Sequence, residues 1–151
     1  MGNRCCFAGH SQIYDDFQSK LKIEIEQLIL HKGVNEFWVG NYGAFDRIAA
    51  KTVREFKTVY QNIKLYLVLP YTTKTIDENR NQYYEEFDAL LIADIPERTP
   101  TKYRIIKCNE YMVNESDFLL CYVKYSWGGA SKTLEYAEKK KHIEIINISD
   151  P

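Results

Sequence analysis

Short apolar runs alternate along this chain with longer stretches whose apolar residues recur at helical spacing. The runs fall near residues 4–7, 36–39, 63–69, 88–92, 118–123 and 143–148. Between them, 15–30 carries the stripe Phe17, Leu21, Ile25, Leu28 and Ile29, with Asp15 or Asp16 as the expected N-cap and Gly33 as the stop. Residues 44–60 place Phe45, Ile48, Ala49, Val53 and Phe56 on one face. Residues 102–114 place Ile105, Ile106, Asn109, Met112 and Val113 toward one side, and 131–142 form a lysine-rich last helix. Residues 71–101 are least regular: Asp77 is the expected cap of a short helix through 81–85, and Pro96 and Pro100 mark a loop. That stretch reads as a surface connection in preference to a moving lid. Strand and helix alternation predicts one Rossmann-like α/β domain over 1–151, its sheet mostly parallel with helices on both faces.

Five of the seven glycines sit in three loops that each follow an apolar run: Gly9, then Gly40 and Gly43, then Gly128 and Gly129. Strand, glycine turn and helix is how an α/β fold builds a crevice at the carboxyl edge of its sheet. In Trp127-Gly128-Gly129-Ala130-Ser131-Lys132-Thr133-Leu134-Glu135, Ser131 and Thr133 carry hydroxyls at the predicted helix start. Lys132 offers a cation and Glu135 a first-turn acid. The Walker A spacing is absent, so ATP hydrolysis is not predicted. The plainer reading is a tight turn with Ser131 as N-cap and Glu135 facing the helix dipole. In Gly40-Asn41-Tyr42-Gly43-Ala44-Phe45-Asp46, Asp46 can bond a ribose hydroxyl or serve as a carboxylate, although capping is the commoner use. His10, ending the first run, faces the same crevice, while His31 and His142 are expected at helix C-termini without a site role. Asn109 lies among apolar positions and needs partners, from a ligand or from a loop.

A formal charge of −1 gives no global attraction to nucleic acid or anionic membrane. None of the twelve tyrosines has a context that requires base stacking. Cys5, Cys6, Cys108 and Cys121 form no CxxC pair and no zinc spacing, so no metal is expected. Burial as free thiols suits a reducing cytoplasm. No signal peptide or membrane helix is expected, and Gly2 is not read as a myristoylation site because position 6 is Cys6.

Four segments in order resemble the SLOG superfamily, and within it the YpsA-like group. They are Cys5-Cys6-Phe7-Ala8-Gly9-His10, Gly40 to Asp46, Asn109 to Asp117, and Gly128 to Ala137. The resemblance covers nearly the whole chain. It implies a Rossmann-like fold with a crevice for nucleotide-derived ligands. Its relatives include lonely-guy phosphoribohydrolases, sensors of NAD-derived signals and the DNA-processing DprA proteins, with bacterial members often tied to stress or phage conflict. Ser11 and Cys108 stand where the family has arginines, which weighs against a phosphate-rich ligand. Trp127 replaces the lonely-guy proline.

The first expectation is therefore binding or sensing of a small nucleotide-derived molecule, with no separate cofactor. Gly9, His10, Gly40, Asn41, Tyr42, Gly43, Asp46, Asn109, Met112, Gly128, Gly129, Ser131, Lys132 and Thr133 would contact it. The helix starts at Ala44 and Ser131 would hold its phosphates. The alternative is an N-glycosidase using Glu135 and Asp46 against an oxocarbenium-like state. Further alternatives are an interaction subunit, since such proteins commonly pair into homo-oligomers, and a DprA-like nucleic-acid binder. The neutral balance and missing basic stripe speak against nucleic acid as a partner.

Overall fold

In the computed structural model, residues 3–149 are described; the reading of Gly2 lies outside them. The elements are β1 (Arg4–Gly9), α1 (Gln18–Lys32), β2 (Glu36–Val39), α2 (Ala44–Lys57), β3 (Lys64–Leu69), α3 (Lys74–Glu78), α4 (Arg80–Glu86), β4 (Ala89–Ile92), α5 (Thr101–Asn114), β5 (Phe118–Tyr122), α6 (Gly129–Glu138) and β6 (Glu144–Asn147). The strands form one sheet in the order β4-β3-β2-β1-β5-β6, and every pairing between neighbours is parallel. This is the predicted Rossmann-like architecture.

Strand alternation sends side chains to two separate cores. Cys5, Phe7, Phe37, Val39, Leu65, Leu67, Leu120 and Tyr122 join Leu21 and Ile25 of α1 and Phe45, Ala49 and Val53 of α2. Cys6, Ala8, Trp38, Val68, Leu119 and Cys121 face the other way, toward Cys108, Met112 and Val113 of α5 and Ala137 of α6. All five β5 residues are buried, as expected of a strand covered on both faces. The four cysteines are free and buried.

Several local expectations are corrected. Phe17, not an aspartate, is the N-cap of α1: Asp15 is drawn instead to the Tyr122 hydroxyl and to Lys124 Nζ at 3.1 Å. Asp16 accepts only the Gln18 N–H, at 3.3 Å. Thr73 caps α3 by accepting the Ile76 N–H, whereas Asp77 lies inside that helix and pairs with Arg80. Helix α6 begins two residues earlier than predicted, with Gly128 as its N-cap. Ser131 is therefore a buried residue of the first turn, and Glu135 falls beyond it. The same helix ends at Glu138, so His142 is no helix terminus; its Nε2 meets the Val113 carbonyl at 3.0 Å. Gly33 does close α1, with φ 70°.

Gly9 is demanded by packing. A Cβ there would lie 2.2 Å from Phe45 Cγ, in the centre of the α2-side core. Gly9→Ala is expected to destabilise the fold by about 1–3 kcal/mol, the usual cost of overpacking, read as a lower denaturant midpoint. An unchanged midpoint would show that Phe45 can step aside.

Candidate nucleic-acid interface at the carboxyl edge

Strand order reverses between β1 and β5: β2 lies on one side of β1 and β5 on the other. The loops leaving β1 and β5 diverge there, which opens a crevice above the carboxyl ends of the strands. A cavity of about 340 Å³ fills this place. Its walls come from the β1–α1 loop (Gly9, His10, Ser11, Gln12, Tyr14), from Tyr42, and from Tyr125, Trp127, Gly128, Gly129 and Ala130. A smaller recess of about 60 Å³ continues inward, sharing Gly9, Tyr42 and Ala130 and adding Phe7, Ala8, Asp46, Ile105 and Asn109.

His10 fixes the far wall. Its Nε2 accepts the backbone N–H groups of Lys124 at 2.9 Å and Tyr125 at 3.2 Å. Only a neutral imidazole has that lone pair, and burial also lowers the His10 pKa from 6.5. The ring stands 5.1 Å from the Tyr125 ring, which stacks on Trp127 at 4.8 Å and 21°. Trp127 is 67% exposed and Tyr125 38%. Tyr14, 89% exposed, stands on the opposite loop.

The two glycine-led helix starts differ. At α2, Gly43 has φ 120° and a Cβ there would meet Ser11 Cα at 2.4 Å. The first N–H of α2, on Ala44, is taken by the Ser11 carbonyl at 2.9 Å. At α6, Gly128 has φ 94° with open space around it and around Gly129. The Gly129, Ala130 and Ser131 N–H groups have no protein acceptor among the described residues, as at any helix start without a side-chain cap. The Ser11 carbonyl thus occupies one of the α2 donors expected to face a phosphate, whereas the α6 donors are unclaimed.

Asp46 sits in the first turn of α2, where its Oδ2 accepts the Tyr42 N–H at 3.1 Å. Burial pushes its carboxyl up to about 6, against the opposing pull of that hydrogen bond. Tyr42, also raised by burial to about 12, keeps its phenol neutral.

The structure thus brings Gly9, His10, Tyr42, Asp46, Asn109, Gly128 and Gly129 to one crevice. Gly40 is buried behind it, 3.1 Å (from an added Cβ) to Asp46 Oδ2, and Gly43 is spent on the Ser11 contact. Asn41 is exposed and lines neither cavity. Met112 belongs to the α5-side core, and Thr133 turns its hydroxyl to the Gly129 carbonyl at 2.9 Å. Ser131 is buried; Lys132 and Glu135 are exposed outside the two linings. Glu135 and Asp46 therefore do not share a cavity. The sequence reading missed Tyr14, Tyr125 and Trp127, whose signal was aromatic residues in a polar loop directly after a buried strand. Among the described residues no cluster suits a metal ion, and no helix is long and apolar enough to cross a membrane.

No protein-family profile matches the chain, and no curated protein matches it in sequence. Solved structures do match its fold. DNA processing protein A (DprA) from Streptococcus pneumoniae superposes with a TM-score of 0.68 at 15% identity, over 95% of this chain and 49% of that protein. DprA from Helicobacter pylori, described for its single-stranded DNA binding mode, superposes with a TM-score of 0.62 at 13% identity, over 91% of this chain and 61% of that protein. The chain thus spans about half to three-fifths of these proteins. The likeness shows the Rossmann-like α/β fold that this chain shares with DprA, and it does not reach the YpsA-like grouping. It overturns two expectations. A small nucleotide-derived molecule as the main ligand, and nucleic acid as a disfavoured partner, are both opposed by a fold whose solved neighbours are DNA processing proteins, one described for its single-stranded DNA binding.

The His10 clamp carries a pH signature. Its folded pKa is depressed, so its contribution to stability is complete above 6.5 and is lost as pH falls through the lowered value. An NMR titration is expected to place the His10 imidazole below 6.5; a value at or above 6.5 would contradict the clamp.

Proposed function

We propose that this crevice binds single-stranded nucleic acid. The observation that carries the reading is the exposed stack of Tyr125 on Trp127, held at the carboxyl edge by His10. Aromatic faces take successive bases whatever their sequence, at about 1–3 kcal/mol per base. The free N–H groups of α6 lie directly beside Trp127, where a backbone phosphate would meet them. Lys132, in the same stretch of α6, and Lys124, next to Tyr125, supply cations near the path. Lys124 is shared with Asp15 at 3.1 Å, so part of its charge is already offset. The DprA fold supports the choice, since a protein of that fold is described by its single-stranded DNA binding. The order of the four motif segments supports placing the chain in the YpsA-like group of SLOG proteins, and the four free, buried cysteines support a reducing cytoplasmic setting.

With few cations on the path, stacking rather than counterion release dominates. Two phosphate contacts at ~0.7 each give a slope of log K against log salt of about −1.4. Binding of a short thymidine oligomer is expected to quench Trp127, the exposed one of the two tryptophans. Trp127→Ala and Tyr125→Ala, followed by fluorescence anisotropy of a labelled oligomer, are each expected to weaken binding by about 5- to 150-fold. Unchanged affinity in both variants, or a steep salt slope, would move the interface elsewhere.

A further inference from the structure

The recess at the inner end of the crevice has a chemistry of its own, and its use rests on the nucleic-acid reading above. Three polar side chains line it: Asp46, Asn109 and Tyr42, the last of which it shares with the outer cavity. Asp46 commits one oxygen, Oδ2, to the Tyr42 N–H, and its Oδ1 has no hydrogen bond among the described residues. The Asn109 amide, half-buried, has no hydrogen-bond partner there either. Phe7, Ala8, Ile105 and Ala130, with Gly9, supply the apolar part of the wall. No lysine or arginine lines the recess or the crevice outside it. A phosphate would find no cation in the recess and a carboxylate to repel it.

The space is also informative. About 60 Å³ holds an exocyclic group and the ring edge that bears it, but not a whole base. The ring itself would remain in the larger cavity, beside Tyr42, which lines both spaces. We propose that the Asp46–Asn109 recess reads the edge of one base of the bound strand, selecting cytosine or adenine over thymine. In both favoured bases an amino donor sits next to a ring-nitrogen acceptor. The carboxylate Oδ1 accepts from the amino group and the Asn109 amide donates to the ring nitrogen. Thymine presents the O4 carbonyl in place of the amino group, and that oxygen meets the carboxylate without a hydrogen between them.

The test is anisotropy at pH 7.5, where Asp46 is ionised, with labelled cytidine and thymidine deoxyoligomers of equal length. Because strand self-stacking is the same for every protein variant, the change of the ratio on substitution reports the recess. The native chain is expected to bind the cytidine strand about tenfold more tightly, within the range of one good bidentate base contact. Asp46→Asn keeps the shape and the acceptor for Tyr42, and is expected to bring the ratio close to one. Asn109→Leu is expected to reduce it as well. Circular dichroism melts of both variants separate a lost preference from a lost fold, and Asn109→Leu keeps the test open should Asp46→Asn fail to fold. Equal affinity of the native chain for both strands would overturn the recess while leaving strand binding intact. No binding of either strand would overturn strand binding itself, and the recess with it. A cytidine preference that survives both substitutions would also overturn the assignment.

Discussion

A wholly parallel sheet must be covered on both faces, and that one constraint arranges everything else in this molecule. Helices α1 and α2 cover one face, α5 and α6 the other. To reach both faces the chain winds outward from β1 in one direction through β4, then returns to the other side of β1 with β5. The return leaves two adjacent strands whose loops part company. The crevice is that gap. It exists because of the winding, and any side chains placed on the two diverging loops become its walls.

What the walls became depends on how much of the local chemistry the fold itself consumes. Ser11 gives its carbonyl to the start of α2, and Gly43 gives up its side-chain space to Ser11. Gly9 makes room for Phe45, and His10 spends one ring nitrogen on two backbone donors. These residues look like ligand contacts in sequence and are chiefly joinery in the structure. The groups left over are the bare start of α6, the rings of Tyr125, Trp127 and Tyr14, and the inward pair Asp46 and Asn109. Rings, unclaimed N–H groups and few cations suit a flexible strand lying across an open edge better than a phosphate-rich small molecule enclosed in a basic pocket.

The sheet and its four long helices were legible because their apolar spacing is strong, and β5, apolar throughout, could hardly be misplaced. Helix starts were less legible. Asp15 and Ser131 have the chemistry of N-caps, but the Tyr122 hydroxyl at the end of β5 draws Asp15 away from α1, and Gly128, three residues before Ser131, takes the α6 cap with its positive φ. Gly9, Gly128 and Gly129 of the glycine loops line the crevice, and Asp46 of α2 and Asn109 of α5 line its inner recess. The aromatic stack went unread because its loop is tied to the crevice by His10, more than a hundred residues away in sequence. The local pattern shows the rings but not the tie to His10.

The most direct measurement is a two-dimensional NMR titration of the isotope-labelled chain with a short single strand of DNA. The account predicts that the amides of Gly128, Gly129 and Ser131 and the indole of Trp127 shift together at one saturable midpoint, with Gly9 and Tyr42 following. Shifts confined to the separate cavity of about 530 Å³ lined by Asp15, Lys124, Asn147 and Ser149, or no shifts at all, would contradict it.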